Sequence, residues 1–153
     1  MDVDAPLSVP AAPAADGQVP VDLRRFPWVR RLAIDYAYDF SAVAPFFAGD
    51  PADQSTWSEA IARTRAHPRD RADIAAVLSN QQTRRSAPPE AVAAARLLAN
   101  EHAVAIVTGQ QAGLFGGPLY TLFKALTAIQ LAERVAREHG VPAIAVFWVE
   151  AED

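Results

Sequence analysis

Between Ala103 and Leu126 the spacing of apolar side chains changes twice: "AVAIVTG" is apolar and β-branched nearly throughout, "QQAGLFGGP" has no period, and "LYTLFKAL" begins a three-and-four repeat. A short run that is apolar on successive positions suits a strand covered on both faces, as in a parallel sheet. Leu119, Leu122, Phe123, Leu126 and Ile129 carry the helical repeat toward Glu138, with Pro118 at its start and His139-Gly140 at its end as boundaries. "PAIAVFWVEAED", from Pro142, reads as a second strand. Strand, helix and strand within about 55 residues make a βαβ unit, whose crossover puts both strand C-termini at one edge of the sheet. Ligands of open α/β sheets bind at that edge.

Upstream the spacing is helical. The irregular apolar run from Trp28 to Phe47 is predicted to be partly helical and to end near Pro45. Thr56 and Glu59 have capping-box spacing at the head of "TWSEAIARTRAH", which predicts a helix that stops before Pro68. A second helix follows Pro68, with Ile74, Val77, Leu78 and Gln81 on one stripe. A third, capped by Ser86, begins at Pro88-Pro89 and carries Val92, Ala95 and Leu98. The Pro/Ala-rich first twenty residues offer little to bury and read as a flexible tail. The expected organisation is a tail over 1–20, a helical region over 21–101 and the start of an α/β core over 102–153.

Composition narrows the function classes. With 153 residues and 51% apolar side chains, the chain can supply one core. The lack of cysteine excludes disulfides, thiolate zinc sites and a cysteine nucleophile. A net charge of -4 counts against broad nucleic-acid binding, which needs a basic surface. The chain shows neither a leader pattern nor the roughly 18 consecutive apolar residues of a membrane span, so no membrane partner is expected and the cytoplasm is the expected compartment. His67, His102 and His139 fall at element ends, where capping or dipole contacts are the expected roles, and no metal site is expected from their spacing.

Three chemical features meet at the expected sheet edge. The turn from Thr108 to Pro118 carries Gly109, Gly113, Gly116 and Gly117, which permit positive φ and close backbone approach, and the following helix offers N–H groups and a positive dipole end to an anion. Gln110 and Gln111 add neutral donors and acceptors able to fix a carboxylate or hydroxyl. Lys124, the only lysine, stands about 140° round the helix from Leu119 and off the apolar stripe. An anion at the turn would offset the unfavourable placement of a cation near a helix N-terminus. Glu150 and Glu152 share a strand face with Trp148, and Asp153 follows; such carboxylates can hold an amine, coordinate Mg²⁺ or act as a general base. Each feature has a plainer alternative: a tight connection without a ligand, surface glutamines, a solvated lysine, an acidic exit into a loop.

Known fingerprints discriminate further. A Walker A loop is excluded because Gly109 is not followed five residues later by Gly-Lys. Thr108, Gly109 and Gly113 resemble the T-G-x-x-x-G-x-G turn of short-chain dehydrogenases, but the last glycine comes one residue late. Glu150 also lies well beyond the roughly 20 residues expected of a ribose-binding acid. A dehydrogenase remains an alternative, as does a noncatalytic helical module.

A longer pattern, T-G-Q-Q-x-G-L-x-x-G-P-L-Y-x-x-x-K from Thr108 to Lys124 followed by F-W-x-x-x-E-D from Phe147 to Asp153, resembles the cysteine-adding enzymes of bacillithiol biosynthesis, the BshC family. The resemblance is strongest from Ala103 to Asp153 and looser through "DYAYDF" and "APFF". It implies a Rossmann-like parallel sheet related to nucleotidyltransferases, helical insertions, a coiled coil and a homodimer. It also implies a ligase that joins cysteine to glucosaminyl malate, with ATP and Mg²⁺ as candidate cofactors. Carried onto this sequence, the family motif makes Thr108, Gly109, Gln110, Gln111, Gly113, Gly117, Pro118, Tyr120 and Trp148 substrate-binding, and Lys124, Glu152 and Asp153 catalytic. The turn amides and Lys124 would stabilise negative charge on a phosphate or carboxylate, and Glu152 or Asp153 would position or deprotonate an amine. Family members continue past the acidic pair with a histidine and another aspartate. A strand without its following helix leaves a sheet edge open. The chain is therefore expected to be the N-terminal portion of a longer protein, its sheet truncated, and to be inactive alone.

Overall fold

The computed structural model describes residues 21–150; the expected tail and the predicted catalytic pair Glu152 and Asp153 lie outside the described residues. The chain divides into two units, 1–50 and 51–153.

In the first unit, Asp22 caps a 3-10 turn over Leu23–Arg25 by accepting the Arg24 N–H at 3.0 Å. Helix α1 spans Arg31–Tyr38 and carries an Arg31–Asp35 ion pair at 2.7 Å, one helical turn apart. The helix ends well before Pro45, because Asp39 leaves helical geometry at φ -147°, ψ 69°. Two 3-10 turns, Phe40–Ala42 and Ala44–Phe46, continue the chain, and the second takes Pro45 in its first turn, where no backbone donor is needed. Val43 is buried, and the rings of Tyr36, Phe40 and Phe47 pack with centroids 4.9 to 5.8 Å apart.

In the second unit, helices α2 (Gln54–Ala66), α3 (Arg71–Arg84) and α4 (Pro89–Leu97) precede strand β1 (Val104–Gln111), helix α5 (Leu119–His139) and strand β2 (Ala143–Glu150). The two strands are parallel and in continuous register from Val104↔Ala143 to Gln111↔Glu150, so the expected βαβ unit forms. Ala75 of α3 and Leu98 at the end of α4 pack with Ala103 and Ile144 on one side of the sheet. Ile61 of α2 and Val135 of α5 pack with Val104 on the other.

Three local expectations are corrected. The Thr56–Glu59 capping box does not form, because Asp53 accepts the Ser55 N–H at 2.8 Å and starts α2 at Gln54, which leaves Thr56 inside the helix. Ser86 does not cap α4: it sits at φ 52°, Pro88 holds the N-cap position, and the helix begins without a side-chain cap. On α3 the inward positions are Ala75 and Leu78, whereas Ile74 and Val77 of the predicted stripe are exposed; the contact with Ala103 and Ile144 takes the small side chain.

Helix α5 shows the same preference more strongly. Ala128, Ala132 and Val135 are buried against the sheet, and Leu119, Leu122, Phe123, Leu126 and Ile129 are all exposed. Its C-terminus behaves as its sequence predicts, with Gly140 in the left-handed conformation donating its N–H to the Ala136 carbonyl at 3.1 Å. Among the described residues no helix is long and apolar enough to cross a membrane.

Candidate functional site

The site is built where β1 runs out into the turn. Side chains alternate across a strand, so Thr108 and Gln110 share a face with Val104 and Ile106, which pack toward α5 and α2. Gly109 and its ladder partner Trp148 take the opposite face, together with Val146 and Ile144. A Cβ at Gly109 would lie 2.7 Å from the Trp148 carbonyl oxygen, so glycine is required there for close approach and not for positive φ. Gly113 is likewise extended, at φ -145°, and the left-handed residues of the turn are Gly116, Gly117 and the fully exposed Phe115. The sequence places positive φ on glycine alone; Phe115, at φ 54°, carries a conformation that disfavours a large side chain.

Lys124 reaches back from the second turn of α5 to the end of β1. Its Nζ donates to the Gly109 carbonyl at 3.1 Å and to Gln110 Oε1 at 2.9 Å. Gln110 Nε2 donates to the Tyr120 hydroxyl at 3.3 Å, and the Lys124 Nζ stands 5.4 Å from the centroid of the Tyr120 ring. An ammonium carries three hydrogens, so one remains for a ligand. Among the described residues no carboxylate pairs with Lys124. Pro118 precedes α5 without a side-chain cap, which leaves the positive end of the helix dipole facing the turn.

Three concavities surround this edge. A depression of about 460 Å³ is lined by Thr108, Gly109, Gln110, Gln111, Trp148 and Glu150. A groove of about 480 Å³ at the start of α5 is lined by Gly116, Gly117, Pro118, Leu119, Thr121 and Phe147. A third cleft, of about 370 Å³, opens between the α3–α4 pair and β2, where Gln82, Arg85 and Trp148 surround an apolar floor that includes Leu78 and Ile144. Sequence reasoning missed this cleft; its only signal is the polar cluster Gln81, Gln82, Arg85 closing α3, and Gln81 read there as part of the apolar stripe.

The structure therefore gathers Gly109, Gln110, Tyr120 and Lys124 into contact, sets Thr108 on the same strand face as Gln110 and Gln111 on the opposite one, where it lines the depression with Trp148 and Glu150, and places Gly113, Gly117 and Pro118 in the turn leading away. Trp148 is not brought to Lys124; it sits on the other sheet face and reaches the depression from that side. Among the described residues no three His, Asp or Glu side chains gather to hold a metal ion.

Comparison with known proteins bears on this arrangement. Residues 20–153 match the family model described as bacillithiol biosynthesis BshC, N-terminal Rossmann-like domain. Curated relatives that bear the name "Putative cysteine ligase BshC" include a protein of Salinibacter ruber, 39% identical over 144 residues, covering 94% of this chain and 26% of the relative. One of Geobacillus kaustophilus is 39% identical over 127 residues, covering 83% of this chain and 23% of the relative. One of Heliobacterium modesticaldum is 59% identical over 59 residues, covering 39% of this chain and 11% of the relative. The chain spans about a quarter of the length of the first two.

Proposed function

This chain belongs to the bacillithiol biosynthesis BshC family, through the N-terminal Rossmann-like domain, and from that membership we propose that it forms the anion-holding wall of a site that joins cysteine to glucosaminyl malate. The observation that carries the reading is the Lys124 ammonium, fixed at the C-terminal end of β1 by the Gly109 carbonyl and Gln110 Oε1, with one hydrogen left for a ligand. In such a ligation the sugar amine attacks the carboxyl carbon of cysteine, an N–H proton is lost and a carboxyl oxygen leaves. ATP would supply the activation that makes that oxygen a leaving group. Lys124 and the uncapped start of α5 would hold the negative charge of a carboxylate or phosphate, which they can do without reorganising as charge develops.

Glu152 and Asp153 keep the proposed role of positioning or deprotonating the amine, on the family resemblance alone. Glu150 is the described carboxylate at this edge; Mg²⁺ is commonly held through one or two carboxylates together with substrate phosphates, and Glu150 is the described residue that would serve it. Replacing Lys124 with Ala in the full-length protein should lower cysteine-adding turnover by about a hundredfold or more, the usual effect of deleting one preorganised charge-stabilising donor, with the circular dichroism spectrum unchanged. Turnover at the unmodified rate would remove Lys124 from the reaction and the reading with it.

A further inference from the structure

We propose that Gln110 and Tyr120 are positioning residues for Lys124, and that of the paired glutamines Gln111 is the one whose carboxamide is wholly uncommitted. This rests on the reading that Lys124 holds an anion. The two ends of the Gln110 carboxamide are both engaged: Oε1 accepts from Lys124 at 2.9 Å and Nε2 donates to the Tyr120 hydroxyl at 3.3 Å. The Tyr120 ring lies against the same ammonium at 5.4 Å, and Tyr120 and Lys124 are one helical turn apart on α5, the spacing that brings side chains together. A strand residue and a helix residue thus close on Lys124 from two sides. A lysine side chain has four rotatable bonds and is otherwise a mobile charge; held this way, it presents its remaining donor in a fixed direction, the condition under which a charge stabilises a developing anion without reorganisation.

Gln111 is the next residue on the strand and takes the opposite face. Among the described residues its side chain makes no hydrogen bond, and it lines the depression beside Glu150. The two glutamines are chemically identical in the sequence and have different work in the structure.

Lys124 is the only lysine of the 153 residues; in the full-length protein, selective ¹³C labelling of lysine Cε assigns its signal as the one lost in Lys124→Ala. The two Hε protons of Lys124 should be inequivalent in the unmodified protein, should merge in Gln110→Ala, and should stay split in Gln110→Glu, which keeps an acceptor, and in Gln111→Ala. A single averaged Hε signal in the unmodified protein, or a splitting that survives Gln110→Ala, overturns the proposal. The second arm is kinetic, in the full-length protein. Gln110→Ala should lower kcat about tenfold or more, and the double variant Gln110→Ala/Lys124→Ala should be no slower than Lys124→Ala, the non-additivity expected of residues acting as a unit. Losses that multiply would mean that Gln110 acts independently of Lys124, and would sink the clamp while leaving the anion-holding role of Lys124 intact. Lys124→Ala without effect would sink that role, and the positioning proposal with it, whatever the labelling shows.

Discussion

Gly109 supports two neighbours at once: its missing side chain lets β2 pass, and its carbonyl takes a hydrogen bond from Lys124. Gly109→Ala forces a methyl to within 2.7 Å of the Trp148 carbonyl oxygen, which is backbone and can move only with the strand. It should destabilise the chain by about 1–3 kcal/mol, the range for overpacking a tight contact, measured by urea unfolding. That this glycine serves close approach was open to reading from "VTGQQAG", but the identity of what approaches was not, because it depends on a ladder register between residues 39 positions apart. Lys124 is similar. Its place off the apolar stripe follows from helical spacing, whereas its partners, 14 and 15 residues away, follow from how α5 is rotated on the sheet. That rotation is set by packing.

Helix ends show where local signals compete. Thr56 is the cap predicted from the spacing, but Asp53 takes the position because its carboxylate captures the Ser55 N–H. The backbone N–H of Ser55, and then its hydroxyl, hold the Asp53 carboxyl below the usual carboxylate range. A carboxyl lowered in the folded state contributes stability that is fully present above its unfolded value of about 3.9 and is lost as pH falls through the lower folded value. Asp53→Asn keeps an acceptor but does not titrate, so its melting temperature should fall less steeply than that of the unmodified chain below about pH 4, followed by circular dichroism. The α5 repeat was legible as a helix and misleading as to its buried side. Five large apolar residues define the stripe in the sequence, yet the sheet accepts Ala128, Ala132 and Val135. Periodicity finds the helix; the space between helix and strand chooses the face.

The arrangement of layers combines what the sequence shows with what it hides. The parallel βαβ unit could be read from spacing, since a continuous apolar strand, a helix and a second such strand admit few other arrangements. Which helices cover which sheet face could not, because α2, α3 and α4 have similar mixed composition and differ in the partners they find. Ile144 is the point at which the α3–α4 side closes on the sheet, 5% exposed among Ala75, Leu98 and Ala103. Ile144→Ala should cost about 2–5 kcal/mol in urea unfolding, the range for truncating a buried isoleucine. A cost below about 0.5 kcal/mol, as for a surface change, would mean that the pair of helices does not rest on β2.

The alanines of α5 have a consequence for chemistry that none of them touches. A helix that rests on methyl groups can lie close to its sheet, and the length of a lysine side chain is fixed, so the depth of the layer made by Ala128 and Ala132 governs whether the Lys124 ammonium meets the Gly109 carbonyl. That layer is a shim. Thickening it by one branched side chain would tilt or lift the helix and draw the charge off the strand end while every residue facing the turn stayed the same. The tolerance of the site is therefore written partly in small residues buried one to two turns away, where a substitution would pass for an innocuous change of core volume.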